Sequence, residues 1–149
     1  MAVLLDTSAL GRLANRGDVA HEVAQAAVAA LHRRGEVLHV TAQNLVEFRN
    51  FATRPVTANG LGLDTGGAAK LAAVFEESFP LLEETPAVYR AWQAVADALD
   101  VTGKQVHDAR LVAVCHVHGV TRLLTFNVAH FARLSVAPPG IVVIDATGL

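Results

Sequence analysis

Residues 2–8 are Ala-Val-Leu-Leu-Asp-Thr-Ser, a short apolar run that ends abruptly in three polar residues. An apolar run bounded by turn-forming residues is typical of a buried β-strand, here predicted at residues 2–5. Asp6 then follows the carboxyl end of that strand, where open parallel sheets form their functional sites. The same aspartate could simply cap the next turn, so its position makes it a candidate and no more.

The rest of the chain alternates similar apolar runs with longer segments of helical spacing. Further strands are predicted at residues 37–40, 79–82, 122–125 and 141–144. Helices are predicted at residues 19–34, 42–52, 68–78, 87–99, 106–118 and, as about one turn, 129–134. The glycine-rich segment 56–67 is predicted to be a connecting loop or flap. Strands that alternate with helices imply right-handed crossovers and a parallel sheet covered on both faces, an α/β sandwich.

Length and composition suggest one folded unit. The 149 residues are 52% hydrophobic and 17% charged, which argues against disorder, and we expect a single domain over residues 1–149. No apolar run approaches the roughly 18 residues that a membrane span needs, and residues 1–5 are too short for a signal peptide. We therefore expect a soluble, cytoplasmic protein without a membrane partner. The single cysteine excludes an internal disulfide and a thiolate metal cluster.

The overall charge gives no sign of a nucleic-acid partner. The formal net charge is −2 and the sequence pI is about 6.4, whereas nucleic-acid-binding domains usually carry a basic excess. A cation held by several carboxylates would make the working surface less negative than the sequence suggests. Basic residues then need only be local.

Glu47 is a second candidate because of its helical neighbours. It shares a helical stripe with Phe48 and Phe51, which we expect to be buried, and a charge in such a place needs compensation. The alternative is a glutamate at the surface edge, paired with Arg49 or Arg54 nearby in sequence.

Asp108 is a third candidate, in the first turn of a predicted helix that is otherwise almost wholly apolar. An aspartate there also complements the helix dipole, and this structural role would be the default for any single case. Three carboxylates at one sheet edge change the argument, because like charges repel and a hard divalent cation is the usual neutralising partner.

Four segments in order carry a resemblance to the signature blocks of PIN domains: residues 4–10 (LLDTSAL), 44–48 (NLVEF), 107–113 (HDARLVA) and 124–131 (LTFNVAHF). The similarity extends over nearly the whole chain and is closest to bacterial PIN proteins of the VapC toxin type. It implies a three-layer α/β/α sandwich with a central parallel sheet. It also implies a ribonuclease that binds Mg²⁺ or Mn²⁺ through Asp6, Glu47 and Asp108, forms homodimers, and is inhibited by a small antitoxin protein.

The chain departs from the family pattern in the last block. Many PIN domains have an acidic residue where this chain has His130, with a polar residue at the position of Asn127, so the fourth acidic ligand is missing here. A histidine favours transition metals over magnesium, so Mn²⁺ preference is one expectation, and contact of His130 with a water or phosphate is another. The departure also leaves open an alternative function, a PIN fold that binds RNA or an antitoxin with little or no cleavage.

The remaining roles are hypotheses that follow from the resemblance. Asp6 and Asp108 would ligate the metal, and Glu47 would ligate a second ion or orient the attacking water. Thr7 or Ser8 would hold a water or the phosphate, and Asn127 and His130 would complete the shell. The arginines nearest in sequence to the acidic blocks are candidates for RNA contact: Arg12, Arg49, Arg54 and Arg110.

Other classes fit the sequence less well. A haloacid-dehalogenase-like phosphatase would need a second aspartate where Ser8 stands, and a nucleotide-binding fold would need a glycine-rich turn after the first strand. His116 and His118 suggest zinc only weakly, since two residues apart on a helix they do not face the same way. Cys115 has no evident activating base for thiol catalysis.

Overall fold

Five parallel strands form the centre of the molecule in the computed structural model, which describes residues 1–149. The strands are β1 (Ala2–Leu5), β2 (Val37–Thr41), β3 (Leu81–Leu82), β4 (Arg122–Thr125) and β5 (Val142–Asp145). Their order in the sheet is β3-β2-β1-β4-β5, and every neighbouring pair is parallel. The predicted parallel sheet is therefore confirmed.

Seven α-helices cover the two faces of this sheet. They are α1 (Thr7–Ala14), α2 (His21–Arg33), α3 (Ala42–Thr53), α4 (Thr65–Ser78), α5 (Pro86–Ala98), α6 (Gln105–His118) and α7 (Val128–Ala132). Short 3-10 turns lie at Val56–Ala58, Leu134–Val136 and Ala146–Gly148. The three-layer α/β/α sandwich predicted from the resemblance is confirmed. None of these helices has both the length and the apolar character needed to span a bilayer.

Alternation along the strands separates the two hydrophobic cores. Leu4 and Leu123 belong to the core that contains residues of α5 and α6, whereas Val3, Leu5 and Leu124 belong to the core that contains residues of α1 to α4. Successive side chains of a strand point to opposite faces, so a central strand that is covered on both sides is apolar at every position. The fully apolar run at residues 2–5 has this cause.

The structure adds one helix that was not predicted from the sequence and moves the start of another. Helix α1 begins at Thr7, directly after Asp6, where only polar turn formers were expected; the Asp6 carboxylate accepts a hydrogen bond from the Thr7 amide and caps the helix. Helix α4 begins at Thr65 and not at residue 68, because the Asp64 side chain accepts from the Gly67 amide. Capping thus outweighs the low helix propensity of the glycines there.

The predicted flap between α3 and α4 is folded back onto the end of α3. The amides of Gly60, Leu61, Gly62 and Leu63 donate to carbonyls of residues 51–55 at 2.8–3.2 Å. The turn brings Gly60 so close to Arg54 that an added Cβ would lie 2.1 Å from the Arg54 carbonyl oxygen. Only glycine fits at this approach.

Gly60→Ala should therefore lower the free energy of unfolding by about 1–3 kcal/mol, the usual cost of overpacking a tight site. Thermal or urea unfolding measures the change. Gly17→Ala is the matched control, since its added Cβ would meet only the Asn15 side-chain oxygen, at 3.5 Å. Equal stability of the two variants would show that the turn relaxes without cost.

Candidate active site

The candidate site lies outside the carboxyl ends of the two central strands, β1 and β4. Strand β1 pairs with β2 on one side and with β4 on the other, so the strand order reverses between β1 and β4. Open parallel sheets form their functional sites at such a reversal, outside the carboxyl ends of the strands. Leu5 pairs with Leu124 in the register, and the Asp6 amide donates to the Leu124 carbonyl at 2.9 Å. Asp6 is thereby fixed beside Thr125.

Asp6 is buried, with 6% of its surface exposed, and its carboxylate is held by three donors. Oδ1 accepts from the Thr7 amide at 2.7 Å, while Oδ2 accepts from the Ser8 hydroxyl and the Thr125 hydroxyl, each at 2.8 Å. An ionised carboxylate has about four acceptor positions, so these bonds leave one free. The group is fixed in orientation and keeps capacity for one further ligand.

Glu47 is held by groups from two elements. Its Oε1 accepts from Gln43 Nε2 at 2.7 Å on the same helix, and its Oε2 accepts from the Thr7 hydroxyl of α1 at 3.3 Å. Asn44, which is fully buried, donates to that same Thr7 hydroxyl at 3.1 Å. Polar contacts supply the compensation expected for this charge, and no arginine forms an ion pair with it.

Asp108 lies in the first turn of α6, and the pKa of its carboxyl group is shifted. Its burial, together with the negative charges of Asp6 and Glu47, raises the pKa of Asp108 from 3.8 to about 6, although His130 and His107 act in the opposite direction. His130 Nδ1 lies 3.9 Å from Asp108 Oδ2, and the His130 side chain is 63% exposed. The repulsion between carboxylates is therefore not fully compensated by the protein.

These side chains line one open cavity of about 480 Å³. The predicted site residues that line it are Asp6, Thr7, Ser8, Arg12, Glu47, Arg54, Asp108, Asn127 and His130. Its other lining residues are Gly11, Asp18, Asn50 and Phe51. A single hollow at the sheet edge thus brings together nearly all of the candidates.

The four candidate arginines do not share this place. The guanidinium of Arg12 lies over the Phe126 ring at 4.5 Å, and Arg54 lines the cavity beside it. Arg49 instead lines a groove between α3 and α4, and Arg110 forms an ion pair with Glu84 and donates to Gln43. Two of the four are therefore positioned at the cavity.

The model of the PIN domain family matches residues 3–136, which is most of the chain. The chain belongs to the PIN-domain family. No curated protein matches the sequence.

Solved structures show the same PIN fold. VapBC2 from Rickettsia felis, bound to a DNA fragment from their promoter, matches with a TM-score of 0.72 at 11% identity, covering 97% of this chain and 98% of that chain. VapBC-1 from nontypeable Haemophilus influenzae gives 0.71 at 15% identity, with 99% of each chain covered. VapC20 from Mycobacterium tuberculosis, described as a sarcin-ricin loop cleaving toxin, gives 0.65 at 20% identity, covering 87% and 93%. At these identities the likeness concerns the fold.

The oxygen-rich donor set of this PIN domain fits a hard cation, but not a closed protein cage. No three acidic, histidine or cysteine side chains stand close enough together to hold one ion. Magnesium is commonly bound through one or two carboxylates, with waters and substrate phosphates completing its shell. The free acceptor position on Asp6 and the uncompensated charge at Asp108 suit that mode of binding.

Three supporting residues were missed by the sequence reasoning. The Thr125 hydroxyl joins Asp6 to the Asn127 amide, while Asn44 and Gln43 fix the Thr7 and Glu47 side chains. Thr125 and Asn44 both lie inside the family blocks, so their closeness in sequence to the candidates Asn127 and Glu47 was the available signal. Gln43 precedes Glu47 by one helical turn, the spacing that places two side chains together.

The residues considered for other chemistry in this PIN domain have separate environments. His118 contacts the Glu83 carbonyl at 2.8 Å, whereas His116 Nε2 is buried without a partner, so the two do not form a shared site. Burial raises the pKa of the Cys115 thiol to about 12, which makes a reactive thiolate unavailable at neutral pH.

Proposed function

We propose that this PIN domain is a divalent-metal-dependent endoribonuclease that hydrolyses RNA phosphodiester bonds, the toxin of a toxin–antitoxin pair. Proteins of this family and fold are generally nucleases. The observation that carries the proposal is the meeting of Asp6, Glu47 and Asp108 in one cavity at the sheet edge, with a raised pKa at Asp108. A fold that held these carboxylates only for structure would gain nothing from their mutual repulsion.

Within this proposal Asp6 and Asp108 hold the cation, Mg²⁺ or Mn²⁺. The hydrogen bonds from Thr7, Ser8 and Thr125 keep the Asp6 carboxylate pointing into the cavity, so it needs little reorganisation when the ion binds. The bound cation would supply charge neutralisation on the phosphate and an acidified water.

Glu47 is proposed to orient the attacking water or to help hold a second ion. Each Glu47 carboxylate oxygen accepts one hydrogen bond, Oε1 from Gln43 and Oε2 from Thr7. The remaining lone pairs can accept a proton or a hydrogen bond from water. Asn127 and His130 line the same cavity and would complete the shell around water or phosphate. Because His130 is largely exposed, its contact with substrate needs no rearrangement of the core.

Arg12 and Arg54 are the proposed contacts to the RNA backbone. Both line the cavity, and stacking on Phe126 holds the Arg12 guanidinium in place without neutralising its charge. Contacts to phosphate position the strand but carry no sequence information. Arg49 and Arg110 were also candidates, and their positions outside the cavity make them weaker ones.

An antitoxin protein and a second copy of this chain are the proposed protein partners. The solved relatives include VapBC assemblies, one of them bound to promoter DNA. Co-expression with a short protein encoded beside the gene should suppress cleavage by this chain. Sedimentation of the pure protein would give the mass of a homodimer.

One observation favours a second function: no three acidic, histidine or cysteine side chains lie close enough together to hold one metal ion. A PIN fold with His130 in place of an acid could bind RNA or an antitoxin without appreciable cleavage. This reading predicts RNA binding in EDTA with no products in any metal.

Incubation of the pure chain with end-labelled single-stranded RNA, in EDTA, Mg²⁺ and Mn²⁺ in parallel, tests the main proposal. We expect cleavage products with either metal and none with EDTA, and single-stranded DNA of the same sequence should remain intact. Cleavage that persists in EDTA would indicate a contaminating nuclease. Intact RNA in every arm, with folded protein, would favour the binding module.

A further inference from the structure

An aromatic pair on α5 lies at the surface: Tyr89 is exposed, whereas Trp92 is partly buried and packs against the core that contains residues of α5 and α6. The Tyr89 and Trp92 ring centroids are 5.7 Å apart with an interplanar angle of 31°, and Tyr89 is 55% exposed. The guanidinium of Arg90 lies 5.8 Å from the Tyr89 ring centroid. Trp92 Nε1 donates to the Val106 carbonyl at 2.8 Å, which fixes the indole against the first turn of α6. The orientation of the Trp92 ring is thus set before any ligand arrives.

The pair forms one wall of a hollow of about 290 Å³, here called the aromatic subsite, which is lined by Tyr89, Trp92, Val106, His107 and Arg110. No carboxylate lines it. A flat aromatic surface is complementary to a nucleobase, since every base has a π face, and Arg90 beside Tyr89, which forms no ion pair, is available for the phosphate of that nucleotide.

The aromatic subsite is continuous with the candidate active site. His107 and Arg110 also line the neighbouring hollow, whose lining includes Gln43 and Glu47, and Glu47 lines the cavity of the catalytic candidates. Gln43 Nε2 donates both to the His107 carbonyl and to Glu47 Oε1. His107 directly precedes Asp108, so the subsite and the acidic cavity share the first turn of α6.

We propose that the aromatic subsite binds an unstacked base of the single-stranded RNA whose phosphodiester lies among Asp6, Glu47 and Asp108, an inference that rests on the proposed ribonuclease function. Stacking on Tyr89 and Trp92 supplies affinity that does not depend on the acidic cavity, where the carboxylates repel phosphate. It also selects against duplex RNA, whose bases are already stacked and cannot enter. The substrate class is therefore RNA with an exposed base near the cut.

A second copy of the chain is the less favoured occupant. A stable protein interface typically buries about 800 Å² on each partner and has a largely apolar centre that is depleted of charged residues. Here the aromatic rings lie beside Arg90 and beside the ion pair of Arg110 with Glu84, and these charged groups would have to lose their hydration against another copy of the same surface.

Trp92 is the only tryptophan, so its fluorescence reports on this subsite alone. The wild-type chain in EDTA and low salt is titrated with a short single-stranded RNA and with an RNA of the same length that lacks its bases. We expect the intact RNA to quench Trp92 emission and the abasic RNA to leave it nearly unchanged. Tyr89→Leu should weaken binding of the intact RNA about tenfold, and Tyr89→Phe, which keeps the ring, less than about threefold.

Unchanged Trp92 emission at saturating RNA, with equal affinities of Tyr89→Leu and wild type, would overturn the subsite. The proposal would also be overturned if Trp92 emission changed with protein concentration and not with RNA concentration, and if Tyr89→Leu converted dimers to monomers in a sedimentation experiment. A second copy of the chain would then occupy the subsite. Cleavage of the same RNA in Mg²⁺ is measured separately. If the RNA is cleaved but Trp92 emission does not change, the aromatic subsite is overturned and the proposed ribonuclease function stands. If Trp92 emission is quenched but the RNA is not cleaved, the subsite is supported and the ribonuclease function is overturned.

Discussion

Asp6→Asn should lower metal-dependent RNA cleavage by at least about a hundredfold while leaving the protein folded. The asparagine side chain keeps an oxygen toward the Thr7 amide and turns its amide group toward Ser8 and Thr125, whose hydroxyls can accept as well as donate. The local hydrogen bonds are thus retained, but the negative charge that faces the cavity is lost. Loss of several kcal/mol of charge stabilisation corresponds to a factor of about 10²–10³ in rate.

The rate is measured on end-labelled RNA in excess Mg²⁺ and Mn²⁺, beside a thermal melt of the same preparation. Asp97→Asn is the matched control, because it makes the same change on an exposed position of α5 and should leave cleavage unchanged. Turnover of Asp6→Asn within about threefold of wild type would remove Asp6 from the catalytic set. An unfolded variant would be replaced by Asp6→Ser, which removes the charge with a smaller side chain.

The position of Asp6 could be predicted from sequence because it depends on a local pattern and a general rule. A four-residue apolar run fixes the strand, and an aspartate directly after it lies at the carboxyl edge of any parallel sheet. The order β3-β2-β1-β4-β5 then places the ends of β1 and β4 side by side. The family blocks group Asp6 with Glu47 and Asp108, which local patterns alone do not do, and in the structure all three line one cavity.

Side-chain direction could not be predicted in the same way. Arg110 lies two residues after Asp108, yet a helix turns about 200° over two residues, so Arg110 faces Glu84 and not the acidic cavity. Arg12 reaches the cavity because it lies on α1, the helix that the sequence reasoning did not predict. The contacts of Thr125 with Asp6 depend on strand register, which the hydrophobic pattern does not determine when both faces are buried.

Asp108→Asn should have two opposite effects, loss of cleavage and a more stable metal-free protein. Burial and the charges of Asp6 and Glu47 raise the pKa of Asp108 to about 6, so its ionised form destabilises the fold at pH 7. Asparagine is neutral and nearly isosteric. A shift of this size corresponds to about 1–3 kcal/mol, which exceeds the roughly 0.3–1 kcal/mol lost from the interaction of a first-turn carboxylate with the helix dipole.

The pH dependence gives the sign of this effect. Because the folded pKa lies above the ordinary value of 3.8, the folded state binds more protons between about pH 4 and 6, and wild-type stability falls as pH rises through that window. The stabilisation by Asp108→Asn should therefore be complete at pH 7 and absent below about pH 4. Melting curves in EDTA at both pH values measure it.

Divalent metal provides the complementary measurement on the same two proteins. Mg²⁺ or Mn²⁺ should raise the melting temperature of the wild type at pH 7, since a bound cation offsets the repulsion among the carboxylates, and should raise that of Asp108→Asn much less. A variant that is less stable than wild type at pH 7 in EDTA would contradict the argument, because the carboxylate would then contribute to folding. If Asp108→Asn is more stable than wild type, does not cleave RNA and is not stabilised by metal, Asp108 belongs to the catalytic site. The wild-type carboxylate then lowers the stability of the metal-free protein by an amount that the fold tolerates.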